Sequence, residues 1–133
     1  MATASGSFEV TMTLVEQAGN DGGGEAPITV TALAKTLTGD LVGHGTGSML
    51  AHTTEVAGSA AYVAMELLTG RLAGRHGSFV AHHTGVMEGG DGDLTIGIVP
   101  DSGTGELVGI TGSMTIDVDE DGGHTYSITY ELP

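Results

Sequence analysis

Few residues in this chain have both the type and the setting for chemistry, and Glu66 is the first of them. It sits in the middle of Tyr62-Val63-Ala64-Met65-Glu66-Leu67-Leu68, a run that is apolar at both parities. If Glu66 shares an inner face with Tyr62, Ala64 and Leu68, it is a buried carboxylate. Desolvation would then raise its pKa and suit it to general acid or base work. Pointing outward, it is a solvated side chain or a structural hydrogen-bond partner. His82 and His83 are adjacent, and neighbouring strand residues face opposite ways, so only one can be inside. If Phe79 and Ala81 face inward, so does His83, and antiparallel pairing brings it near Glu66. The two would form an acid–base couple; otherwise His83 is a core histidine with its hydrogen bonds satisfied. Lys35 is the only lysine and lies between Leu33 and Leu37 in a run otherwise coated with Thr. It either projects inward toward Glu66 or a ligand, or guards an exposed strand edge. The pattern favours the guard.

Other chemistries find no support. The six histidines, His44, His52, His76, His82, His83 and His124, show neither H-x-H nor H-E-x-x-H spacing, so no metal or other cofactor is expected. There is no Cys, which removes disulfides, thiolate ligands and thiol nucleophiles together. Gly103-Thr104-Gly105 lacks a following Lys and has no helix to cap, so it is no phosphate loop.

Charge narrows the partners. Three Lys and Arg stand against 17 Asp and Glu, a formal net charge of -14. Nucleic-acid binding needs basic side chains on phosphates, and an anionic membrane surface needs them on headgroups. Lys35, Arg71 and Arg75 cannot supply either. The start Met1-Ala2-Thr3-Ala4-Ser5-Gly6 has no basic region or apolar run, and no stretch approaches a membrane span. A cytoplasmic protein is expected.

The elements that must position Glu66, His83 and Lys35 read as strands. The 24 glycines fall in clusters between runs that alternate at a period of two. The runs are 7–16, 28–38, 44–54, 62–72, 78–87, 94–99, 113–119 and 124–132, with 17–27 expected as a flexible loop. Phe8, Val10, Met12 and Leu14 share one face; Tyr126, Ile128, Tyr130 and Leu132 share another. Seven to eight antiparallel strands with short turns predict a single all-β domain over 1–133, closed as a barrel to remove its edges. Such a barrel holds side chains or one small ligand. With no Trp, two Phe and three Tyr, the interior falls to small aliphatics and six Met. Met49, Met114, Ile96 and Ala81 would line a cavity, or Met would simply plug gaps.

Three stretches carry a family resemblance. They are Thr36-Leu37-Thr38-Gly39-Asp40-Leu41-Val42-Gly43-His44-Gly45-Thr46-Gly47, the run from Glu66-Leu67-Leu68-Thr69-Gly70 to Gly77-Ser78-Phe79 with His83-Thr84-Gly85, and Ser102-Gly103-Thr104-Gly105-Glu106-Leu107-Val108-Gly109-Ile110. Together they resemble a bacterial family of uncharacterised domains with the allene oxide cyclase-like barrel. The last run is also similar to the glycine-rich turn of allene oxide cyclases and dirigent proteins. The resemblance covers most of the chain from Ala32 onward. It implies an eight-stranded antiparallel barrel with an inner pocket, a homo-oligomer, and cofactor-free steering of an apolar reactive substrate. Glu66 and His83 match positions typical of the bacterial family. Leu68 and Ala81 replace larger residues expected there, which would enlarge the pocket, and Leu67 replaces a basic one.

The function expected is therefore a cofactor-independent cyclase or isomerase for a small apolar molecule held inside the barrel. Glu66 and His83 would be catalytic. Tyr62, Leu68, Phe79, Ala81, Met49, Ile96, Met114, Tyr126 and Lys35 would contact the substrate. A non-catalytic carrier for a small hydrophobic metabolite is the alternative, and an oligomeric structural module a third.

Overall fold

The computed structural model describes residues 1–18 and 28–133. They form eight strands in chain order: β1 (Ala2–Ala18), β2 (Ile28–Gly39), β3 (Leu41–Thr53), β4 (Ala60–Leu72), β5 (Arg75–Glu88), β6 (Asp91–Ile98), β7 (Thr111–Val118) and β8 (His124–Glu131). Each strand pairs antiparallel with the next, and β8 returns to β1 to close the barrel. Among the described residues there is no helix long and apolar enough to cross a membrane.

The period of two sorts the faces as a pleated strand requires. On β4, Ala64, Glu66, Leu68 and Leu72 are buried and alternate with exposed Val63, Met65, Leu67 and Arg71. On β5, Phe79, Ala81, His83 and Gly85 are buried while His82, Thr84 and Val86 face out. The outward positions of β3, β4 and β5 carry no carboxylate except Glu88, the last residue of β5. They hold His44, His52, His76, His82 and Arg71 among apolar and hydroxyl side chains.

Several strands are longer than their patterns suggest. β1 begins at Ala2 rather than at residue 7, because Ala2 to Phe8 pair with β8 from Tyr130 to His124. β3 begins at Leu41 rather than 44, and β6 at Asp91 rather than 94. Residues 17 and 18 of the expected loop end β1, paired with Thr29 and Ile28. The rest of that loop, 19–27, lies outside the described residues. Ala73 and Gly74 join β4 to β5 with φ of +48° and +87°. A two-residue turn with both φ positive matches the twist of the strands it connects.

The interior divides along the barrel axis. At the end carrying the β2–β3 and β4–β5 turns, Leu41, Leu68, Leu72, Phe79 and Ile128 are almost wholly buried. Leu107 and Ile110, from the connection after β6, belong to the same packed cluster. Tyr126 ties this end together. Its hydroxyl accepts a hydrogen bond from the Leu41 amide at 2.9 Å and donates to the Thr38 carbonyl at 2.7 Å. Burial pushes its pKa up, with Asp40 adding to the effect against the Leu41 amide, so it stays a donor at neutral pH. The strand pairing is also uneven. β6 and β7 meet only at Ile96 with Met114 and Gly97 with Ser113. Beyond those pairs, toward the other end, the two strands part.

Candidate functional site

Lys35, Glu66 and His83 meet in the interior between the two ends. Glu66 Oε1 accepts from Lys35 Nζ at 3.2 Å and is 3.3 Å from His83 Nε2. All three side chains are buried, Glu66 completely. Glu66 Oε2 is the one fully buried side-chain oxygen or nitrogen without a hydrogen-bond partner among the described residues.

The pairing register explains how the three come together. Glu66 lies opposite Ala81 and His83 opposite Ala64, so Glu66 and His83 are diagonal neighbours on the inner face of adjacent strands. Diagonal neighbours stand about 7–8 Å apart at the backbone, within reach of long side chains. Lys35 comes from two strands away, on β2, and must cross β3 to reach Glu66. It can cross because β3 presents glycine on its inner face, with Gly45 opposite Lys35 and Gly47 opposite Glu66. A Cβ at Gly45 would fall 2.8 Å from Glu66 Oε2 and 3.0 Å from Leu68 Cδ2. The carboxylate occupies the space that a side chain on β3 would take.

The electrostatics follow from burial and partners. Burial alone pushes the Glu66 carboxyl up, as expected from sequence, but the hydrogen bonds from His83 and Lys35 and the Lys35 charge outweigh it. The carboxyl is held below its ordinary value, so Glu66 is ionised at neutral pH. It therefore only accepts, and His83 Nε2 must carry the hydrogen it shares with Glu66. Lys35 Nζ also lies 4.6 Å from the Phe8 ring centroid, a cation–π contact. Phe8 in turn faces His124, ring centroids 5.0 Å apart.

Above these groups, toward the end where β6 and β7 part, is a cavity of about 310 Å³. That volume is at the small end of the ~300–1,000 Å³ usual for ligand sites. Phe8, Val10, Met12, Leu33, Met49, Ala64, Leu94 and Ile116 give it an apolar wall; Lys35, His83, Tyr62 and His124 are its polar groups. Burial and the Glu66 charge raise the Tyr62 pKa, so its hydroxyl remains protonated.

Of the residues expected to contact a ligand, Tyr62, Met49 and Lys35 line this cavity. Leu68, Phe79, Ala81, Ile96, Met114 and Tyr126 do not. They belong to the cluster of buried hydrophobic side chains. Leu68 and Ala81, both 1 % exposed within that cluster, do not line this cavity. Lys35 is no edge guard, since its strand is paired on both sides and the side chain points inward. Phe8, Val10, Met12, Leu33, Ala64, Leu94, Ile116 and His124 were not singled out as ligand contacts. Phe8, Val10 and Met12 do share the inner stripe of β1, the signal that could have found them. Leu67 is outward and exposed. Among the described residues no group of three or more His, Asp or Glu is placed to hold a metal ion.

The family model for proteins of unknown function named DUF3224 matches residues 4–130. The chain belongs to the DUF3224 family. A solved DUF3224 protein of unknown function from Shewanella oneidensis MR-1 is 41% identical, with a TM-score of 0.92. The match covers 100% of this chain and 98% of that one. No curated protein matches the chain. The eight-stranded barrel expected from sequence is thus a DUF3224 barrel, and neither match names an activity.

Proposed function

We propose that the chain is a cofactor-independent isomerase or cyclase acting on a small apolar molecule in the open half of the barrel. The observation that carries this reading is a fully buried carboxyl group in contact with a histidine and a lysine that line an apolar cavity. Such a group is costly to bury, and one of its oxygens has no partner. Costly, polarised groups beside a cavity are what catalysis uses. In this reading Glu66 orients and polarises His83, and His83 moves the proton. The cavity wall holds the substrate in a reactive conformer, which supplies much of the acceleration.

The test is a mixture of small apolar metabolites incubated in D2O with the wild type or with Glu66→Gln, followed by mass spectrometry. The wild type should retain some components and convert them to isomers, with deuterium uptake where a proton is moved. Glu66→Gln, checked for folding by circular dichroism, should retain the same components unchanged. Retention without conversion by the wild type overturns the enzyme reading in favour of a carrier for a hydrophobic metabolite.

A further inference from the structure

We propose that the ligand of this cavity carries a neutral carbonyl that binds Lys35, next to a carbon whose proton is taken by His83 Nδ1. This deepens the acid–base reading above and rests on it.

The argument begins with the proton inventory. His83 spends Nε2 on Glu66 and makes no other hydrogen bond among the described residues. With Nε2 protonated, the neutral imidazole presents a lone pair at Nδ1. Among the described residues Glu66 Oε2 is the only unpartnered side-chain nitrogen or oxygen sealed from solvent, so Nδ1 is not sealed, and His83 lines the cavity. Lys35 lines the same cavity and touches the same carboxylate oxygen. A base and a cation therefore stand side by side on one anchor.

Charge selects the head group. Lys35 and Glu66 cancel, so an anionic ligand would bring an uncompensated charge into a buried site beside a second carboxylate. A neutral oxygen that accepts from an ammonium and turns negative only during reaction meets no such cost. It gains when the charge appears, as transition-state stabilisation requires. The step balances without a co-reactant. Nδ1 takes the proton from the carbon between the carbonyl and a neighbouring double bond. The C–H pair becomes a new C=C, and the carbonyl π pair moves to oxygen beside Lys35. The same nitrogen returns the proton to the far carbon, and the double bond has moved into conjugation. The imidazolium formed meanwhile sits against the Glu66 carboxylate.

Two probes test this. 2-Naphthol mimics an enolate and reports its own ionisation by absorbance. Bound to the wild type, its hydroxyl should become at least about tenfold more acidic, one pKa unit, because its proton can pass to His83, leaving the pocket's net charge unchanged, while Lys35 faces the oxygen. Bound to Lys35→Met it should not. Since that variant strands Glu66, Lys35→Met/Glu66→Gln is measured alongside it; the wild-type titration needs neither. Cyclohex-3-en-1-one should be conjugated by the wild type and not by His83→Gln. No binding of naphthol by the wild type, or binding with unchanged acidity, overturns the carbonyl assignment even if other metabolites are isomerised. A naphthol shift without turnover of any compound leaves the carbonyl site standing and sinks the acid–base reading instead.

Discussion

The two seams on either side of the β5–β6 hairpin differ sharply. β4 and β5 are paired along their whole length, from Ala60 with Met87 to Leu72 with Arg75. β6 and β7 pair at two adjacent positions only, and Leu94 and Ile116, beyond those pairs, line the cavity. The long seam holds Glu66 and His83 at a fixed diagonal offset. The short seam borders the cavity. One wall of the barrel is therefore paired throughout and the other only in part, a difference that should appear as a difference in local stability.

Hydrogen exchange should separate the walls most strongly. Amides from Ala64 to Leu68 and from Ala81 to His83 should exchange only through global unfolding, which for a domain costs about 5–15 kcal/mol. Leu94, Thr95, Thr115 and Ile116 should exchange through local opening, at least ~100-fold faster at neutral pH. Equal protection on both seams would break the comparison.

Side-chain truncation should show a smaller contrast. Leu68→Ala, on the long seam and 1 % exposed, should cost about 2–5 kcal/mol in urea unfolding. Ile116→Ala, half-buried beside the cavity, should cost about 1 kcal/mol, because the space around it is already open. Matching values would show that the open half is packed as tightly as the closed one.

Acid should give the smallest effect, confined to the rigid wall. The folded Glu66 pKa lies below the ordinary 4.5, so its ionisation stabilises the fold. That contribution is complete above the unfolded value and is lost as pH falls through the folded one. The loss should be roughly 1.4 kcal/mol for each unit of depression, and it should vanish in Glu66→Gln. Unfolding curves from pH 6 downward check it; an unchanged acid slope in the variant would remove Glu66 from the account.

These features were unequally visible in the sequence. Phe79 and Ala81 carry the parity that turns His83 inward, but the run from Tyr62 to Leu68 is apolar at both parities, so whether Glu66 faces in was not legible. Lys35 had a signal as well, since Leu33 and Leu37 share its parity, but Thr on both faces of that run hid which side was buried. Height along the barrel was not legible. Parity says in or out, whereas the register between strands decides whether an inward residue is walled in like Phe79 or lines a space like Met49. That register is a property of the closed ring. The same reason conceals the start of β1. Ala2 to Gly6 are small and weakly patterned, and they become a strand only by pairing with β8 and β2.

The outward faces of β3, β4 and β5 have a consequence for the molecule as a whole. Carboxylates give the chain its net charge of -14, yet this broad face has none but Glu88 and carries Arg71 with four histidines. The negative charge is therefore off-centre, and the protein has a dipole as well as a charge. In a field, or near a positively charged support, it will not tumble at random. It will turn its other strands and its turns toward the positive side and hold the β3–β5 face away, and salt at physiological strength, with its ~8 Å screening length, will weaken that alignment.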